Sequence, residues 1–266
     1  MLRILIALLA TGGLAEAAEA ERVTGEISVF VDGSLSETHD LASVGGEGHA
    51  AIRVDENWGV QFDLFGGRFL EDTEENTFVT GGAHVFYATP QFAVGVTTTG
   101  GEIGGFDSIS AGGEAAYFLT DTNLYADVDA ICADHFDTCL LNGRLGAQHF
   151  LTENLAIQAS GGYGRFLMET PFAEGVLTGT VNLDWRMRDT PFGVSLAYGY
   201  LRLTEGLGAD GFHSVSAAIS IQLGTETLKE QRRSGPIFTE PSPQLNALLG
   251  GFVGFLDGTR FSPPGR

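Results

Sequence analysis

The sequence predicts an all-β chain, a transmembrane antiparallel up-and-down β-barrel of about twelve strands, and three observations carry that prediction. Side chains alternate between apolar and polar from residue 25 to about residue 223, the two-residue period of a strand with two different faces. The connections between alternating stretches are of two kinds that take turns along the chain. An export signal precedes all of them.

That signal is MLRILIALLATGGLAEAAEA: one arginine at position 3, an apolar run from Ile4 to Leu14, and small residues ending Ala18-Glu19-Ala20. The pattern predicts a cleaved secretory signal over 1–20, with cleavage after Ala20 and Ala17 as the alternative. It is too short for a spanning helix, and no later run offers the roughly 18 apolar residues one needs. The formal charge of -20 predicts a surface that repels nucleic acid and attracts cations. With 38 glycines and 19 phenylalanines, the composition favours strands and turns over helices.

The first strand follows at Gly25–Asp32, where Ile27, Val29 and Val31 oppose Glu26, Ser28 and Asp32. Tight polar turns are predicted at Asp55-Glu56-Asn57, Thr89-Pro90-Gln91, Thr120-Asp121-Thr122-Asn123, Thr152-Glu153-Asn154 and Asp189-Thr190-Pro191, each rich in turn formers. Longer acidic or glycine-rich loops are expected near 33–47, 70–77, 100–108, 133–138, 168–174 and 205–212. Between them, from 177, Leu177, Gly179, Val181, Leu183 and Trp185 oppose Thr178, Thr180, Asn182, Asp184 and Arg186. The last strand sets Val215, Ala217, Ile219, Ile221 and Leu223 against Ser214, Ser216, Ser220 and Gln222. Strands of this length suit a tilted crossing of a bilayer.

Aromatic residues gather at one end of the apolar face. Beside the tight turns stand Trp58, Tyr87, Phe92, Tyr117, Trp185 and Phe192, with Leu124 and Leu155 at equivalent places. This is the expected girdle at a membrane interface. A soluble β-barrel or sandwich would also alternate, but its apolar face points inward and gives aromatics no reason to collect at one end. The polar face is then predicted to line the interior, with Asp63, His84, Glu114, Asp127, Asp129, Arg144, Asp184 and Arg186 as pore-lining candidates, beside Glu26, Asp32, Arg53, Gln61, Asn142, Gln148, Gln158 and Asn182.

Both cysteines lie in ICADHFDTCLL, residues 131–141. If Cys132 opposes Cys139 in a hairpin, Ala130 meets Leu141, Asp129 meets Asn142, Val128 meets Gly143 and Asp127 meets Arg144. A one-residue slip would break every like-with-like pair at once. Directly opposed antiparallel residues are within disulfide reach, and an exported chain meets an oxidising compartment. A Cys132–Cys139 clasp is therefore expected, contributing ~2 to 3 kcal/mol by loop entropy. The alternatives are zinc held by Cys132, His135, Cys139 and an aspartate, whose spacing matches no standard site, and a redox pair, which lacks the C-x-x-C spacing.

Hairpins such as FYATPQFAVGV and FLTENLAIQASGGYG give residues 24–224 a resemblance to the porin-like outer-membrane β-barrel superfamily of Gram-negative bacteria. The resemblance implies short turns on the periplasmic side, an outer-membrane lipid setting, and passive passage of small hydrophilic solutes or cations, with a cation preference from the acidic lining. The other expectation is a non-conducting structural or surface-interaction barrel. Small residues on the lipid face, such as Gly81, Ala83, Gly143 and Ala147, leave room for a homo-oligomer. Some lipid hydrolases resemble this barrel and pair a histidine with a serine two residues on. Here His213 is followed two places on by Val215, and Ser214 falls on the opposite face, so no catalytic residue, metal or cofactor is expected. Residues 225–266 follow the last strand and are expected to form a flexible periplasmic tail, with a plug, docking segment or further strand at Leu248–Leu256 as the alternative.

Overall fold

The computed structural model describes residues 23–35, 40–70, 77–103, 106–133, 138–167, 175–204 and 211–238. The predicted export signal and residues 239–266, with the segment at 248–256, lie outside them. Twelve strands are present: β1 (Val23–Leu35), β2 (Asp40–Arg53), β3 (Trp58–Phe69), β4 (Thr77–Ala88), β5 (Phe92–Ile103), β6 (Phe106–Phe118), β7 (Thr122–Ala133), β8 (Thr138–Thr152), β9 (Leu155–Phe166), β10 (Gly175–Arg186), β11 (Phe192–Thr204) and β12 (Gly211–Leu223). Each pairs antiparallel with its sequence neighbours, and β1 pairs with β12, so the sheet closes on itself. Closure leaves no strand edge unpaired.

The two-residue period dictates which side chains face in. On β1, Ile27, Val29 and Val31 are exposed on the outer wall, while Glu26, Ser28, Phe30 and Asp32 are buried within. The same inversion of the usual inside-out rule runs around the barrel, leaving an exterior of exposed valine, leucine, isoleucine and aromatic side chains. An exterior of this kind needs an apolar solvent.

Two of the expected loops are largely strand. The glycine-rich stretch within 33–47 extends β1 to Leu35 and begins β2 at Asp40, with Val31 opposite Val44 and Gly45 opposite Gly67. Likewise β5 runs to Ile103 and β6 starts at Phe106, with Glu102 opposite Asp107. Main-chain ladder bonds hold these stretches whatever the side chains, and a turn-rich composition does not reveal them. The connection there is consequently as short as the tight turns at the other end.

The segment expected to be a flexible tail is ordered over its first part. Gly224, with φ +80, turns the chain out of β12; a Cβ there would stand 2.5 Å from the Val23 carbonyl. A short helix, α1 (Leu228–Ser234), follows. Thr227 caps it by accepting from the Glu230 amide. The chain then passes Gly235 and Pro236 and ends its described part at Ile237 and Phe238, both buried inside the barrel mouth.

Candidate functional site

The interior has three levels. At the end carrying the longer connections, inward side chains form two apolar clusters: Phe30, Phe65, Phe69, Phe78 and Ala218 on one arc, and Val176, Leu201, Leu203 and Phe212, packed by Leu140 and Phe166, on another. Phe30 and Phe65 stack with ring centroids 5.2 Å apart. The middle is polar, and residues 225–238 sit in the tight-turn mouth.

The polar middle is organised around an alternating chain of carboxylates and imidazoles. Ser28 donates to Glu47 at 2.7 Å, and Glu47 lies 3.8 Å from His49 Nε2. His49 Nδ1 is 2.8 Å from Asp63 Oδ1. The other Asp63 oxygen meets His84 Nε2 at 2.5 Å, and His84 Nδ1 meets Glu114 at 2.7 Å. The last contact passes over β5, which is possible because residue 95 is glycine: a Cβ there would lie 3.0 Å from Glu114 Oε1. Each histidine stands between two carboxylates and Asp63 between two histidines, so these groups are satisfied on both sides, the condition under which a polar network stabilises a wall.

The remaining pore-lining candidates occupy neighbouring arcs. Arg144 donates through Nε to Asp127 at 2.8 Å, and Asn142 donates to Asp129 at 3.1 Å. Asp184 accepts from Asn182 at 3.0 Å and from Gln148 at 3.5 Å. Arg186 sits at the mouth and donates to the Thr225 carbonyl at 2.7 Å, so it anchors the segment beyond β12. Glu47 and His49 are absent from the sequence-based candidates: Glu47 falls inside because β2 extends through the stretch expected as a loop, while His49 lies beyond that stretch on the same inward face as Arg53.

Residues 225–238, a plug segment in the reading proposed below, lie across the tight-turn mouth in contact with most of the strands. Leu228 N donates to Asn154 and Lys229 N to the Glu153 carbonyl. Leu228 packs on Phe150 and Ala156. Arg232 pairs with Glu26 at 3.2 Å, and the fully buried Gln231 donates to the same carboxylate. Arg233 donates to Asn123 and to the Leu119 and Thr120 carbonyls, its guanidinium lying over the Phe118 and Phe150 rings. Gln61 donates to the Phe238 carbonyl at 2.9 Å and accepts from its amide at 3.4 Å, the two bonds a neighbouring strand would make. The Phe238 ring lies nearly parallel to His84, with centroids 6.4 Å apart. It also packs with Ile237 against Phe86, Ala88, Ala93, Ala116 and Phe118. At the rim Lys229 reaches Asp121 at 2.9 Å, and this hydrogen bond and charge hold the Asp121 carboxyl below its usual range.

On the outer wall, Trp58, Phe92, Tyr117, Trp185 and Phe192 are exposed and Tyr87 is half-buried, all beside the tight turns. Trp58 meets Tyr87 edge to face, with centroids 5.5 Å apart. Cys132 and Cys139 are bonded, their Cα atoms 4.1 Å apart, and every residue pair expected from that register is present. Two of the zinc alternative's ligands are thereby used; His135 lies outside the described residues. His213 faces outward with its Nδ1 2.6 Å from the Tyr198 hydroxyl, while Ser214 is buried on the inner face.

No protein-family model matches the sequence, and no curated protein matches it. Solved structures do match. The NanC porin superposes with a TM-score of 0.52 at 12% identity, over 73% of this chain and 100% of that one. The translocator domain of the autotransporter NalP from Neisseria meningitidis superposes with a TM-score of 0.51 at 13% identity, over 83% and 94%. At such identity the likeness concerns the fold, and it agrees with the closed twelve-strand wall, apolar outside and polar within. The fold of this chain is that of the porin-like β-barrels of the bacterial outer membrane.

Proposed function

We propose that the protein is an outer-membrane channel for passive diffusion of small hydrophilic solutes, with a preference for cations, held shut in this state by its own residues 225–238. The observation that carries this reading is the lining. Glu26, Asp32, Glu47, Asp63, Glu114, Asp127, Asp129 and Asp184 face the interior against Arg53, Arg144 and Arg186 of the wall. A wall that only had to be filled would do so at less free-energy cost with apolar side chains. An excess of carboxylates along a bore concentrates cations and repels anions. Because the plug contributes Arg232 and Arg233 to the mouth, its withdrawal leaves the lining more acidic still.

The test is the reversal potential of the refolded chain in a planar bilayer under a potassium chloride gradient. Potassium is expected to carry most of the current, and Asp127→Asn with Asp129→Asn should bring the reversal potential toward zero. Chloride-selective current would contradict the cation preference. A second reading, a non-conducting structural or surface-interaction barrel, draws on the two apolar clusters that narrow the other half of the lumen. It would be favoured by silence from folded protein whose plug has been loosened by substitution.

A further inference from the structure

Three basic residues stand exposed on the outer wall, toward the end carrying the longer connections. Arg165, Arg202 and His213 are exposed on β9, β11 and β12, with β10 between the first two. They stand ten residues along from Leu155, Phe192 and Leu223, which mark the tight-turn interface. At ~3.3 Å per residue and a tilt of about 40°, that is roughly 25 Å, the height of an outward apolar band. All three side chains therefore emerge at the opposite membrane interface, the outer leaflet in this architecture.

Neither Arg165 nor Arg202 has a hydrogen-bond or ion-pair partner among the described residues. By register Arg165 lies opposite Gly175 and Arg202 opposite Leu177 of the intervening β10. Two strand spacings and a two-residue offset put them about 12 Å apart. The Tyr163 hydroxyl lies between them, 2.8 Å from where a Gly175 Cβ would stand. His213, whose Nδ1 is taken by Tyr198 and whose ring packs 5.1 Å from Tyr200, extends the patch. Directly below, Gly161 and Gly179 face each other on the outer wall and leave a depression above exposed Val181, Leu196 and Val215.

We infer that this patch on β9–β12 binds a phosphorylated glycolipid of the outer leaflet, with its phosphates on Arg165 and Arg202 and an acyl chain along the glycine depression. Two guanidiniums at headgroup height call for anions, since charge-assisted bonds to phosphate are the strong ones there. The apolar wall continuous beneath them calls for a ligand with tails, which free phosphate lacks. In a chain of formal charge -20, an outward basic cluster is also the place where self-repulsion from an anionic leaflet is relieved.

The inference concerns the outer wall and is independent of conduction. The full chain would be refolded into vesicles containing bisphosphorylated lipid A or its dephosphorylated form, extracted in mild detergent, and the retained glycolipid weighed by native mass spectrometry. About one bisphosphorylated molecule per chain is expected, with at least tenfold less of the dephosphorylated form. Arg165→Ala with Arg202→Ala should lower retention tenfold at unchanged β-sheet circular dichroism, and the paired lysine variant should restore part of it. Equal retention of both lipids by the unaltered chain would overturn the inference, a comparison that needs no variant to fold. Retention unchanged in the folded alanine pair, or removal of bound lipid by millimolar inorganic phosphate, would overturn it as well.

Discussion

Gly95 shows how far one absent side chain shapes the interior. The imidazole of His84 reaches Glu114 across β5 only because nothing projects from residue 95. Gly95→Leu should expel Glu114 from that contact and press on Phe86, whose Cβ lies 3.2 Å from the added carbon. The expected loss is about 1 to 3 kcal/mol, as for other overpacked interiors, read from urea unfolding of the refolded barrel. Glu26 illustrates the converse, a group that depends on a partner being present. Its carboxylate is buried and paired with Arg232 and Gln231. Arg232→Ala leaves that charge without its ion-pair partner, a change worth about 3 kcal/mol or more for buried pairs. Because Arg232 belongs to the plug, the strain should fall on plug seating: trypsin should cut at Lys229 and Arg233 several times faster, with the strands still protected. Unaltered cleavage would mean that Glu26 does not hold the plug.

At the scale of elements, the strands were legible and the plug was not. Alternation around Ile27, Val29 and Val31, the turn formers at 55–57 and 89–91, and the like-with-like pairing at Cys132 and Cys139 each follow from local physics, and the structure places them accordingly. The extension of β2 through Gly45 and Gly46 rests on main-chain pairing with β1 and β3, which composition hides, and with it went Glu47; His49 shares a face with Arg53 and was within reach of the two-residue period. Helix α1 left a usable signal: Thr227 and Glu230 stand three apart as in a capping box, basic residues fill the last turn, and Gly235-Pro236 ends it. What sequence could not show is that this helix folds back on the barrel it follows. Its rim tether gives a pH prediction. Lys229 holds Asp121 below the ordinary carboxylate range, so the tether's contribution is complete above about pH 4 and is lost as pH falls through the lowered value. Amides of residues 228–234 should therefore exchange faster at pH 3 than at pH 6 after correction for intrinsic rates. Asp121→Asn should remove that difference, and a difference persisting in the variant would assign it to another group.

At the scale of the molecule, the barrel combines a wall that does not need its interior apolar with a segment seated in one mouth. A closed sheet satisfies every main-chain group within itself, which frees the lumen to carry the acid and imidazole chain from Glu47 to Glu114. The plug then rests on that chain through Phe238 and His84 and is fastened to the wall through Gln61, Glu26 and Arg186. Wall and plug thus share residues, so under the proposed channel function gating and permeation would depend on one network. The direct test is the open probability of single channels formed by the full chain, compared with Arg232→Ala, Phe238→Ala and their combination. Rare openings are expected for the unaltered protein, an increase of tenfold or more in the combined variant, and the same unit conductance in both. Equal open probability in all forms, with the combined variant shown to release the plug to trypsin, would contradict it.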